Sequence, residues 1–135
     1  MSTVVVREGL QQPGMWITRD ADTMRLERER AGGWSEDDIR VHLTTMRAVF
    51  ERLPEDGYFV QVPGTFHSNF MDLPLWFPFA SRLGVTGPID GARAHRIINA
   101  FTRAFFDRHV KGQPGTEFDE LRERYPEVHF ETRRP

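Results

Sequence analysis

Two short apolar runs separated by a long amphipathic stretch constrain this chain more than any other feature. Met15-Trp16-Ile17-Thr18 and Tyr58-Phe59-Val60-Gln61-Val62 are of strand length and rich in β-branched and aromatic residues. Between them Ser35 opens a helix. It is a good N-cap, and Glu36, Asp37 and Asp38 put negative charge in the first turn, where the helix dipole favours it. Ile39, Leu43, Met46, Val49, Phe50 and Leu53 recur at three- and four-residue spacing, and Pro54 closes the pattern. Strand, helix, strand predicts a βαβ unit with parallel strands and a right-handed crossover. The carboxyl ends of both strands then share one edge of the sheet. Open α/β sheets meet their ligands at that edge.

Around this unit the chain reads as follows. Thr3 to Val6 is a strand or an extended lead-in, and Leu10 to Gly14 is turn material. Residues 23 to 31 carry Arg25, Glu27, Arg28, Glu29 and Arg30, the pattern of a solvated helical turn or loop. Pro63-Gly64 stops the second strand, so His67 falls in a loop. Residues 70 to 85 hold Phe70, Leu73, Leu75, Trp76, Phe77, Phe79 and Leu83, broken by Pro74 and Pro78. Short helical turns that pack into the core are expected there, with a lipid-facing or acyl-lining face as the alternative. Asp90 caps a second long helix carrying Ala94, Ile97, Ile98, Phe101, Ala104, Phe105 and Val110, and Gly112 stops it. Residues 113–135 form a charged helical tail. In it Thr116 caps a short helix to Arg124, Val128-His129-Phe130 is a candidate extended piece, and Arg133-Arg134-Pro135 should fray. Two central strands leave bare edges. Either residues 3 to 6 add a third strand or the chain docks on something larger.

The 135 residues suit one domain, residues 1–135, and the 39% apolar and 28% charged fractions are those of a globular chain. The net charge of −2 with mixed signs offers no basic face for nucleic acid. The absence of cysteine excludes disulfides, thiolate metal sites and a cysteine nucleophile. No run is long and apolar enough to be a transmembrane segment. The first residues lack a basic region followed by an apolar one, so no signal peptide is expected and the cytoplasm is the default location. His42, His67, His95, His109 and His129 show no paired ligand spacing. No metal and no cofactor are expected.

Chemistry concentrates where the βαβ unit places it. Asp20 and Asp22 follow the first strand and His67 follows the second. A histidine there is either a surface or capping residue or a general base. A base needs a nucleophile, and Ser2, Ser35, Ser68 and Ser81 all stand outside a Gly-x-Ser-x-Gly elbow. Ser68 adjoins His67, too close in sequence for nucleophile-to-base geometry.

The segment Gly64-Thr65-Phe66-His67-Ser68-Asn69-Phe70-Met71-Asp72 resembles the catalytic-histidine segment of α/β-hydrolases related to platelet-activating factor acetylhydrolase (isoform II type), which reads Gly-x-x-His-x-x-Phe-x-Asp. The likeness runs from about residue 10 to 112. It takes in Gln12-Pro13 with Met15-Trp16-Ile17 as the penultimate strand, then Gly87-Pro88-Ile89-Asp90, and Phe105-Phe106-Asp107-Arg108-His109-Val110-Lys111-Gly112 as the closing helix. The resemblance implies the C-terminal third of such an enzyme, a carboxylic ester hydrolase acting on a small ester or lipid. His67 is then the general base and Asp72 a loop anchor bonded to backbone N–H groups. Phe66, Phe70 and Trp76 are substrate-lining candidates. The acid partner is Asp22 or Asp20 if it follows the penultimate strand. The acetylhydrolase group itself places it one strand earlier, before Met1. The serine and oxyanion hole have no counterpart here, which points to a missing N-terminal part or to self-association. A free-standing, non-catalytic interaction module or inactive hydrolase remnant is the alternative.

Overall fold

A computed structural model of the chain describes residues 3–77 and 79–134. Its centre is a three-stranded sheet in the order β1-β2-β3, formed by Gly14–Thr18, Gly57–Gln61 and His129–Arg133. β1 and β2 are parallel, with Trp16 opposite Phe59 and Ile17 opposite Val60. β3 lies antiparallel on the other side of β2, with Phe130 opposite Val60. The chain is therefore mixed α/β.

The parallel pair depends on what joins it. After β1 the chain forms two helices, α2 (Ala21–Ala31) and α3 (Glu36–Glu51). The α3 N-cap closes as a capping box: Ser35 Oγ accepts from the Asp38 N–H, and Asp38 accepts from the Ser35 N–H. The predicted stripe faces inward. Met46 and Phe50 pack on Phe59, with Trp16 and Leu43 at the rim. Side chains alternate across the strands, so Tyr58, Val60 and Val62 meet the opposite layer. That layer is α5 (Gly91–His109) and α6 (Glu117–Arg124), through Ile97, Phe101, Ala104, Phe118 and Leu121. Tyr58, Phe118 and Phe130 stack nearly parallel, with ring centroids 4.5 and 5.5 Å apart for the two pairs that include Phe118. Burying each such ring contributes about 1.5–3 kcal/mol.

Three expectations change. Residues 3 to 6 do not add a strand; they lie in α1 (Thr3–Glu8), which packs on α3. Among the described residues no strand pairs with it, and Arg52 ties the helix down by donating to the Val6 carbonyl at 2.6 Å. The third strand comes from the tail, which is helix then strand rather than a helical tail alone. Arg133 does not fray: it ends β3 opposite Gly57. Pro135 lies outside the described residues. In addition, Val110 is exposed, beyond the last buried turn of α5. Thr116 stands before α6 without a side-chain cap.

The loop after β2 is held against the approach to α5 by backbone contact. The Ile89 N–H donates to the Gly64 carbonyl at 3.1 Å, and Gly64 adopts φ +78°. A Cβ on Gly87 would overlap that Gly64 carbonyl and the Phe66 nitrogen. Gly87→Ala should therefore cost about 1–3 kcal/mol, the range for overpacking. Urea unfolding measures it, and an unchanged midpoint would mean the two segments are not in contact.

Candidate functional site

The β1 and β2 carboxyl ends stay paired beyond the strands. The Val62 N–H donates to the Thr18 carbonyl at 2.9 Å. After the Pro63-Gly64 turn, His67–Phe70 forms one 3₁₀ turn. The His67 side chain is exposed on it, and among the described residues no hydrogen bond engages its imidazole. Ser68 directs its hydroxyl to the Val85 carbonyl at 2.5 Å, so that hydroxyl serves the loop. The loop anchor is Asn69. It is 1% exposed, and its Oδ1 accepts from the N–H groups of Phe66 and Gly87, both at 2.8 Å. Asp72 does not take the anchoring role expected of it. Its carboxylate makes no cap bond and meets His95 Nε2 at 3.5 Å instead. The amide oxygen accepts both bonds without a charge to desolvate, while among the described residues its buried Nδ2 finds no partner.

Helix α2 fixes the loop from the other side. Thr23, Glu27 and Arg30 are spaced to share one helix face. Thr23 Oγ1 accepts from the Gly64 N–H at 2.9 Å, Glu27 Oε1 accepts from the His67 N–H at 2.8 Å, and the Arg30 guanidinium lies over the Phe66 ring at 5.8 Å. Each of the first two is braced from the end of β1. Asp20 caps α2, accepting from the Thr23 N–H at 2.8 Å and from its hydroxyl at 2.5 Å. Arg19 pairs with Glu27 Oε2, and the two side chains are only 6% and 12% exposed. Two parallel struts thus run from β1 to the loop after β2: Asp20–Thr23–Gly64 and Arg19–Glu27–His67. The charged run around Glu27 is therefore not simply a wet face. The clue available in sequence was the four-residue spacing of Thr23 and Glu27, with the apolar Met24 between them.

The acids follow from this. Asp20 and His67 do share one edge, but Asp20 is occupied by Thr23. Asp22 is turned to Arg25 at 2.8 Å with its side chain 94% exposed. Among the described residues neither carboxylate bonds the His67 ring. Phe66, a lining candidate, is 1% exposed and belongs to the interior. Phe70 and Trp76 are exposed.

They belong to a larger apolar ridge. Met71, Leu75, Trp76, Phe77, Phe79, Leu83 and Val85 are all exposed, Trp76 at 77% and Leu83 at 78%. α4 (Leu73–Trp76) is one short turn of this ridge, with Pro74 packed under it against Gly91. The expectation of core packing fails here: the described chain has no further element to cover the ridge. Patches of this kind mark association or ligand surfaces.

Among the described residues, no cluster of three His, Asp or Glu side chains could hold a metal ion, and no helix is long and apolar enough to cross a membrane. Compared with protein-family models, curated proteins and solved structures, the chain has no match.

Arg19 also reaches the Trp34 ring at 5.7 Å, and Trp34 packs on His42. Burial, reinforced by the Arg19 charge, holds His42 below its ordinary pKa of 6.5. Burial does the same to His109, against the pull of Asp56. Both imidazoles then bind protons more readily in the unfolded chain. Their stabilisation is complete above the unfolded pKa and is lost as pH falls through it toward the lower folded values. The urea midpoint should fall between about pH 7.5 and about pH 5.5, and His42→Gln should flatten that fall. An unchanged slope in the variant would contradict the burial of His42.

Proposed function

We propose that this chain is the C-terminal part of an α/β-hydrolase acting on carboxylic esters, of esterase, lipase or acetylhydrolase type, with His67 as general base. One observation carries this reading: an exposed imidazole sits in a braced loop just past a parallel strand, beside the end of a second parallel strand that Asp20 follows. In that role the imidazole takes the proton of a serine hydroxyl as it attacks the ester carbonyl. It then returns the proton to the departing alkoxide. The serine and oxyanion hole come from outside these 135 residues, because no serine here stands in a nucleophile elbow. Ser35 and Ser68 are already used, as a helix cap and a loop tie. The acid in this reading is Asp20 or Asp22; both oxygens of Asp20 are engaged by Thr23, and Asp22 lies in solvent beside Arg25. Phe70 and Trp76 offer apolar surface to a small ester or a lipid.

The test has two arms. The purified chain should hydrolyse p-nitrophenyl acetate no faster than free imidazole. A product read from further upstream in the same frame should carry Gly-x-Ser-x-Gly and hydrolyse the ester, with His67→Ala lowering kcat by about 10⁴-fold or more. A longer product without that serine, or one whose activity survives His67→Ala, would overturn the proposal.

A second reading is a non-catalytic α/β interaction module, or an inactive hydrolase remnant, that associates through the ridge. The exposure of Trp76, Phe77, Phe79 and Leu83 favours it. Size-exclusion chromatography should then give a dimer or larger species that Trp76→Ser with Leu83→Ser shifts to monomer. A sharp monomer at every concentration for the unmodified chain would rule out the ridge as a self-association surface.

A further inference from the structure

We infer that Arg19 and Glu27 are positioning residues for His67, an inference that rests on reading His67 as the base. The geometry is direct. One carboxylate oxygen of Glu27 receives the His67 N–H at 2.8 Å. The other oxygen is held by Arg19, the residue that follows β1. The pair is enclosed: Arg19 is 5% exposed, and the Trp34 ring covers its guanidinium at 5.7 Å. A carboxylate only 12% exposed and held by a buried guanidinium has little freedom to wander, so the backbone of His67 is fixed to the end of the neighbouring strand.

The chemistry explains why such a brace is useful. The His67 imidazole is exposed, and among the described residues no hydrogen bond orients it. Its position is set by its own backbone alone. A base must meet its nucleophile within hydrogen-bond reach, and small displacements of the reacting groups are costly. The Thr23–Gly64 bond holds the start of the loop, and Asn69 holds its end. Glu27 acts at His67 itself. It touches no reacting atom, so its role is positioning and not catalysis.

The double variant Arg19→Met with Glu27→Leu separates positioning from folding. Replacing both members of a buried ion pair by apolar residues of similar size is often neutral or stabilising, whereas removing one member is not. NMR on the full chain provides the readout. The urea midpoint should be kept, while the His67 amide proton loses the downfield shift of a charge-assisted bond. Its exchange should quicken by about 10–100-fold, the span for one hydrogen bond to a charged group. The Gly64 amide, held by Thr23, should not change, and Thr23→Val should give the reverse pattern. An unchanged His67 amide in the folded double variant would overturn the inference. If that variant fails to fold, Glu27→Gln keeps the shape and removes the charge. A reduced shift and faster exchange at His67 would support the inference, and an unchanged amide would overturn it. The outcomes separate from those of the proposed function. Esterase activity surviving His67→Ala removes the base without altering these amide signals. Unaltered amide signals remove the brace whatever the activity does.

Discussion

The parallel pairing of β1 with β2 is the constraint on which the rest depends. Its register sets Thr18 beside Gln61, so that the residues leaving both strands emerge together. Everything with chemical character at this edge follows from that. Arg19 and Asp20 leave β1, His67 leaves β2, and α2 lies between them with Thr23 and Glu27 facing the loop. An antiparallel pairing would send the two groups to opposite ends of the sheet. The pairing is in turn held by the layers above and below it. Trp16 and Phe59 meet α3, while Val60 and Ile17 meet α5 and α6.

Two kinds of surface result. The loop around His67 is over-determined, with Thr23, Glu27, Asn69, Val85 and Ile89 all engaging its backbone or its serine. The ridge from Phe70 to Val85 is the reverse: large apolar side chains stand in solvent on one short helical turn and its flanking loops. The two lie next to each other in sequence. A braced, exposed imidazole beside an uncovered apolar ridge is what an enzyme part lacking its complement would present. The ridge alone would serve an interaction module equally well. Both readings therefore require something to cover the ridge, and they differ in whether His67 then works.

Much of the architecture was legible in the sequence because local signals agreed. Ser35 with its acidic first turn, the spacing from Ile39 to Leu53, and two strand-length runs all gave the same βαβ answer. Asp90 and the stripe from Ala94 to Ala104 did the same for α5. The failures have physical causes. Val5 and Val6 have strand propensity, yet propensity cannot supply a neighbouring strand, and α3 with Arg52 supplies a helical dock instead. β3 reads weakly as His-Phe-Glu-Thr-Arg, and its place beside β2 is a contact between distant segments. Glu27 looked like one charge in a solvated run, because its partners are a residue eight before it and an amide forty after it. Asp72 had its anchoring role only from the family resemblance, and no local sequence pattern marks Asn69 as the anchor. Burial decided for the neutral amide. The exposure of the ridge is not legible locally, because the fate of Trp76 and Phe79 depends on what else is present to cover them.

The central claim is that β1 and β2 run parallel and deliver Asp20 and His67 to one edge. Through-space NMR contacts between backbone protons test it most directly. The account predicts contacts linking the Val62 amide to Thr18 and the Gly64 amide to Thr23, with Gly14 near Gly57 at the other end. Contacts that instead place Thr18 beside Gly57 would mean antiparallel strands, and would separate Asp20 from His67 by the length of the sheet.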